Sequence, residues 1–142
     1  MSPARLRFLD TNVLLYSIST AADEARKRDI AAELLDVDDL ALSVQVLQEF
    51  YVQATRRTRE NPLDPALAER LMRSWLRFKV QEMNLAVMFD ALAIQARYQL
   101  SYWDAAIVSA ARLLGCREVL TEDMRHGQDL GGVVVVNPFR GV

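Results

Sequence analysis

The sequence predicts an α/β fold of three layers, with a short central parallel sheet and helices on both faces. Two observations carry this. Short apolar segments of strand character at residues 5–9, 40–43, 118–120 and 133–136 alternate with longer stretches whose apolar residues recur at helical spacing. Short buried strands separated by helices favour a parallel sheet, because each crossover helix covers one of its faces. The 142 residues suffice for one domain with a substantial core, and a single domain over 1–142 is expected.

The first strand, 5–9, ends on an acid, Asp10. Asp10, Thr11 and Asn12 can each cap a helical turn starting near Val13, which breaks at Ser17-Ile18-Ser19-Thr20. A helix follows over 23–35, with Ile30, Ala31, Leu34 and Leu35 facing inward and Arg26, Lys27, Arg28 and Glu33 on the wet side. After an acidic turn at 36–39 comes the second strand, 40–43. The next helix, 44–57, aligns Val46, Leu47, Phe50, Tyr51 and Ala54 in one stripe, and Glu49 falls beside that stripe in line with Gln53 and Arg56.

Asn61-Pro62-Leu63-Asp64-Pro65 is a loop, with Asp64 as N-cap and Pro65 as the first helical residue. The helix it opens carries Leu67, Leu71, Trp75 and Phe78 on one face. Met72 and Leu76 widen that face, so the helix is either buried on two sides or meets another subunit or partner. A helix over 85–98 precedes Ser101-Tyr102-Trp103-Asp104, which opens a helix rich in small residues (Ala105, Ala106, Ser109, Ala110, Ala111) suited to close packing. Gly115 suits its C-terminal cap. The third strand, 118–120, runs into Thr121-Glu122-Asp123. The four valines of 133–136 read as a strand buried on both faces, stopped by Asn137-Pro138. A pairing of the third strand with the segment near Lys79-Val80 remains open.

Composition excludes several classes. With 17 basic and 19 acidic residues the net charge is −2, so nucleic acid would have to be held by a local patch or through a metal. The single cysteine, Cys116, rules out an intramolecular disulfide and fits a reducing compartment. Met1-Ser2-Pro3-Ala4-Arg5 lacks the apolar run of a signal peptide. No charge-free apolar stretch approaches the roughly 18 residues of a membrane span. A cytoplasmic protein with no membrane contact is expected.

Function is sought among the acids. Ligands of a parallel sheet bind beyond the carboxyl ends of its strands. Asp10 ends the first strand, Glu49 lies in the helix leaving the second, and Asp123 follows the third. Asp104 lies in the first turn of a helix leading back toward the third strand, so all four fall on one edge. Each also has a structural explanation: a cap for Asp10, a capping box from Ser101 to Asp104, a turn at Asp123, and pairing of Glu49 with Arg56 or Gln53. Together they are harder to dismiss, because crowded carboxylates repel unless a cation intervenes. Hard oxygen ligands without a histidine or cysteine set point to Mg²⁺ or Mn²⁺.

These stretches resemble the PIN-domain ribonucleases, specifically the toxins of VapBC-type toxin–antitoxin pairs. The resemblance rests on Leu9-Asp10-Thr11-Asn12-Val13, Val44 to Phe50 with Glu49, Tyr102-Trp103-Asp104-Ala105-Ala106-Ile107, Leu120-Thr121-Glu122-Asp123 and Val136-Asn137-Pro138-Phe139, in family order. It implies a PIN-like fold, with Asp10, Glu49, Asp104 and Asp123 as the catalytic, metal-holding quartet and Asn12 and Thr121 as polar supports. Glu122 is ambiguous, since it is placed to share the role of Asp123. The resemblance further implies RNA as substrate, a 5′-phosphate and a 3′-hydroxyl as products, a homodimer, and a cognate antitoxin that blocks the pocket. In this reading Asp10, Asp104 and Asp123 take the metal or its waters, and Glu49 orients the attacking water or holds a second metal.

Arg56, Arg57 and Arg59 are the local basic cluster expected to contact RNA phosphates, or else to complement a helix end. His126 reads as a solvated loop residue, Cys116 as a buried or turn residue, and Trp103 as packing at a helix start in preference to stacking on a base. A haloacid-dehalogenase-type phosphatase wants a second Asp where Asn12 stands. A receiver domain wants a lysine after a strand, which neither Lys27 nor Lys79 supplies. The remaining alternative is a non-catalytic PIN-fold interaction module.

Overall fold

The computed structural model describes residues 5–142. The reading of the first four residues as free of a signal peptide lies outside the described residues. Five strands, β1 (Arg7–Leu9), β2 (Leu40–Ser43), β3 (Lys79–Gln81), β4 (Glu118–Leu120) and β5 (Val134–Val136), form one sheet in the order β3-β2-β1-β4-β5. Every neighbouring pair is parallel. Six α-helices connect and cover them: α1 (Thr11–Ser17), α2 (Ala25–Leu35), α3 (Val44–Ala54), α4 (Pro65–Ser74), α5 (Leu85–Tyr98) and α6 (Tyr102–Leu113). The expected three-layer α/β/α arrangement is present. Among the described residues no helix is long and apolar enough to cross a membrane.

Local chemistry explains where the helices start. Ser43, Asn84 and Ser101 are N-caps whose side chains accept from the backbone N–H of Val46, Val87 and Asp104. Asp64 stands at the N-cap of α4 without a side-chain bond, and Pro65 begins the helix. Gly115, at φ +78°, takes the left-handed turn after α6, with the Cys116 N–H bonded back to the Ala111 carbonyl.

The middle strand is buried beyond its first residue, and its neighbour β2 is buried throughout. Phe8 and Leu9 have no exposed surface, and β1 pairs with β2 on one side and β4 on the other. The chain builds β2 and β3 on one side of β1, then crosses over through α5 and α6 to build β4 and β5 on the opposite side. The point where the order reverses lies between β1 and β4. Helix α6 packs against α5 and against β2, β3 and β4. Its Ala105, Ala106, Ala110 and Ala111 are fully buried, so small side chains let the backbone approach closely.

Several expectations need correction. Lys79-Val80 is indeed a strand, but it pairs with β2 at the far edge and not with β4. The valine run is an edge strand with only alternate residues buried: Val133 and Val135 are covered, Val134 and Val136 partly open. Its outer edge is protected by the preceding loop, through Gly127 N–H to Val135 O and Val135 N–H to Gln128 O. Helix α3 stops at Ala54, where Thr55 folds its hydroxyl onto the Tyr51 carbonyl and Leu63 N–H takes the Ala54 carbonyl. Arg56 and Arg57 therefore follow the helix and are not part of it. Tyr51 is exposed and Gln45 is buried in its stead. Helix α4 is buried on one side only: Ala68 and the following Trp75 and Phe78 face the core, while Leu67 and Leu76 remain exposed.

The packing of α6 makes a direct prediction. Ala110→Leu, at a fully buried site, should lower stability by about 1–3 kcal/mol through overpacking, read as a reduced urea midpoint.

Candidate active site

Register explains the first contact of the site. Leu9 is aligned with Leu120, so the residues after each, Asp10 and Thr121, emerge side by side at the carboxyl end of the sheet. The Asp10 N–H continues the ladder to Leu120 O at 3.1 Å. The Thr121 hydroxyl donates to Asp10 Oδ2 at 2.8 Å. The Thr11 N–H donates to Asp10 Oδ1 at 2.7 Å, so Asp10 is also the N-cap of α1. The helix-cap and cleft readings of Asp10 therefore hold together.

The remaining acids come from three other elements. Glu49, in α3, accepts from the Thr11 hydroxyl at 2.9 Å and from Gln45 Nε2 at 2.8 Å. Asp123, after β4, accepts from Asn12 Nδ2 at 3.0 Å. Asn12 also donates to Thr121 Oγ1 at 3.1 Å, and the Asp123 N–H donates to the same oxygen at 3.0 Å. Asp104 sits in the first turn of α6 with its N–H bonded to Ser101 Oγ at 3.1 Å. Asp10, Glu49, Asp104 and Asp123 line one cleft of about 160 Å³ with Thr11, Asn12, Gln53 and Trp103.

Electrostatics distinguish the four acids. Asp10 is only 5% exposed. Burial pushes its carboxyl up to about 7, the Thr121 and Thr11 hydrogen bonds pull it down, and the charges of Asp123 and Glu49 push it up again. Asp104 is also raised, chiefly by burial, with Ser101 opposing and Asp123 and Glu49 adding. Among the described residues no lysine or arginine lines the cleft. Two buried acceptors, Asn12 Oδ1 and Gln45 Oε1, have no donor. Both amides are oriented by their donated bonds, so acceptors outnumber donors here.

Among the described residues no three His, Cys, Asp or Glu side chains are drawn together tightly enough to form a metal shell as they stand. The chemistry of the donor set nevertheless fits a hard divalent cation: carboxylate oxygens, excess acceptors and no internal counter-charge. The hydrogen bonds from Thr11, Asn12, Gln45 and Thr121 hold Asp10, Glu49 and Asp123 in place without neutralising them.

Other expected residues divide. Arg56 lines the adjoining depression with Glu49, Gln53 and Trp103. Arg59 lines a groove with Asn12, Tyr16 and Glu122. Arg57 is exposed and lines neither. Glu122 is turned away from the cleft: it accepts from Lys27 Nζ at 3.1 Å and from the Tyr16 hydroxyl. Lys27 is therefore not a solvated residue of α2 but a half-buried tie to the segment after β4. The expected pairing of Glu49 with Arg56 or Gln53 is replaced by its bonds to Thr11 and Gln45. Gln45 is a residue of the site that the acid pattern does not mark. Its signal was the spacing of four residues from Glu49 on a helix.

Fold and cleft together define an α/β protein with an acidic pocket at the point where its strand order reverses. A family model described as the PIN domain matches residues 7–128. The chain belongs to the PIN-domain family. Three solved structures share the fold. FitAcB from Neisseria gonorrhoeae is 20% identical, with a TM-score of 0.70 over 95% of this chain and 99% of that one. A toxin–antitoxin complex from Klebsiella pneumoniae is 21% identical, with a TM-score of 0.67 over 94% and 98%. VapC20 from Mycobacterium tuberculosis, described as a sarcin–ricin loop cleaving toxin, is 19% identical, with a TM-score of 0.64 over 82% and 91%. A sequence comparison with curated proteins finds no match.

The raised Asp10 carboxyl sets a pH window for the metal-free protein. Folding retains a proton that the unfolded chain gives up above about pH 4, so stability falls as pH rises from there to about 7 and then levels. In EDTA the Tm should drop by several degrees between pH 5 and pH 8. Asp10→Asn should remove most of that slope. Thr121→Val, which deletes a bond that lowers the Asp10 carboxyl, should extend the window to higher pH. Differential scanning calorimetry across pH reads all three.

Proposed function

We propose that this chain is a divalent-metal-dependent endoribonuclease, the toxin of a toxin–antitoxin pair. The observation that carries the reading is the convergence of four carboxylates, from four separate elements, on one cleft without a lysine or arginine. The family match and the sarcin–ricin loop cleaving neighbour from Mycobacterium tuberculosis support it.

In this reading Asp10, Asp104 and Asp123 are the oxygen donors for Mg²⁺ or Mn²⁺. The cation supplies charge neutralisation of the phosphodiester and acidification of water. Glu49 is held at both oxygens, by Thr11 and by Gln45, so its position is set before substrate arrives. It orients the attacking water and receives its proton. Thr121 divides its single hydroxyl among Asp10, Asn12 and the Asp123 backbone, which keeps Asp10 and Asp123 in register. Asn12 holds the Asp123 carboxylate from the other side. Arg56 and Arg59, outside the cleft, attract the flanking phosphates that the acids repel.

The antitoxin and a second copy of the chain are the partners in this reading. The neighbouring structure from Klebsiella pneumoniae is a toxin–antitoxin complex. Two exposed apolar faces are available here, Leu67 and Leu76 in and after α4, and Leu85, Phe89 and Leu92 along α5.

Asp10→Asn and Asp104→Asn should each reduce Mg²⁺-dependent cleavage of cellular RNA at least a hundredfold, beyond the roughly 10–100-fold typical of supporting residues. Products should carry 5′-phosphates. Full cleavage by Asp10→Asn with the fold intact would contradict the assignment. Calorimetry should record Mg²⁺ binding to the parent and its loss in Asp104→Asn; no binding to either would favour a non-catalytic interaction module. Arg56→Ala with Arg59→Ala should weaken RNA binding and flatten its salt dependence, by about 0.7 in the log–log slope for each phosphate no longer neutralised. An unchanged slope would remove these arginines from the interface.

A further inference from the structure

Trp103 was expected to pack at the start of its helix. It does not: 64% of its surface is exposed, although it adjoins Asp104 and lines the acidic cleft. An exposed indole contributes little to folding, yet this one is anchored. Its carbonyl accepts from Gln45 Nε2 at 3.1 Å, the same amide that holds Glu49. Its ring meets the Tyr102 ring edge-on, with centroids 5.0 Å apart. The backbone is fixed on a capped helix start while the indole stands in solvent.

Besides the acidic cleft and the depression that Arg56 lines, Trp103 borders a third hollow, a groove of about 540 Å³. Gln48, Met83, Asn84, Met88 and Tyr102 line the groove with it, and no charged side chain does. No cationic side chain there would draw in a phosphate. A nucleobase suits the groove: it is uncharged, has two π-faces for an aromatic ring, and offers edge donors and acceptors to amides such as those of Gln48 and Asn84. The volume lies within the range of about 300–1,000 Å³ common to small-molecule sites. Of the exposed stripe on α5, only Leu85 reaches the groove; Phe89 and Leu92 do not line it. The groove thus shares Trp103 with the acidic cleft and is marginal to the apolar face of α5.

We propose that Trp103 is the stacking platform for the base next to the phosphodiester held in the acidic cleft, and that the uncharged groove receives that base. The proposal rests on the nuclease reading above. It makes the substrate segment single-stranded, because a base paired within a duplex offers no free face to an indole. It also makes Trp103 a reader of unpaired bases, acting on the π-face common to all of them and not on the strand's charge.

The test uses the full chain carrying Glu49→Gln, which keeps the three metal donors so that RNA is bound but not cut, with Mg²⁺ present. Two probes of equal charge are titrated: a short single-stranded oligoribonucleotide and the same backbone with abasic sites throughout. The base-bearing strand should quench tryptophan emission and bind more tightly than the abasic one. Adding Trp103→Ala should weaken the base-bearing strand roughly tenfold, the order of one aromatic–base stack, and leave the abasic strand unchanged. Trp103→Phe should recover most of the loss. Equal binding by parent and Trp103→Ala, or equal affinity for both probes, would overturn the proposal. So would a loss of binding that tracks dissociation of an oligomer in sedimentation, which would make Trp103 a contact between copies of the chain. The two readings fail differently: a protein with all four acids that cleaves RNA without any base dependence removes the stacking role alone, whereas one that neither binds nor cleaves a single strand removes both.

Discussion

A carboxylate buried at the end of the central strand is the constraint on which the rest of this structure depends. Asp10 has almost no contact with solvent, and an isolated charge in that position is strongly unfavourable. The fold answers with two hydrogen bonds. Thr11, the first residue of α1, supplies one through its backbone N–H. Thr121 supplies the other, and it is adjacent only because β1 and β4 pair in the register that aligns Leu9 with Leu120. Even so, Asp10 retains a raised carboxyl at about 7. The centre of the cleft therefore carries electrostatic strain that a cation would relieve.

The same sharing of hydrogen-bonding groups extends outward. Thr11 serves Asp10 through its N–H and Glu49 through its hydroxyl. Asn12 joins Thr121 to Asp123. Gln45 joins Glu49 to the Trp103 carbonyl and so ties α3 to the start of α6. Three consecutive residues at the head of α1 thereby organise acids whose positions in the chain lie far apart. Because α1 begins directly at the end of the central strand, little backbone freedom separates the sheet from the site.

A second tie secures the outer wall. Lys27 bonds Glu122 and Tyr16, and its ammonium lies over the Tyr16 and Phe139 rings. It joins α2, α1, the segment after β4 and the chain's C-terminal turn. Glu122 is thereby committed to structure, which leaves Asp123 as the acid from that segment in the cleft. The chain bends just after Thr121, with the Asp123 N–H bonded back to the Thr121 hydroxyl, and so sends the two neighbouring acids to different partners.

The sequence by itself determined the features whose physics is local. Helix starts follow from side chains that bond a backbone N–H three residues on, as at Ser43, Asn84 and Ser101. The strands follow from short apolar runs, and the placement of four acids on one edge follows from parallel topology, which puts strand ends and helix starts together. The family resemblance was legible from the same stretches, because they carry that edge. Tertiary structure alone decided the rest. Which strand lies beside β2, where the valine run sits, whether Lys27 faces water or Glu122, and whether Trp103 is covered all depend on residues tens of positions away. Helical spacing marked Tyr51 for the core and left Gln45 unremarked; neighbouring helices reversed both. Periodicity reports which face of an element is apolar, but only the assembled neighbours determine what that face meets.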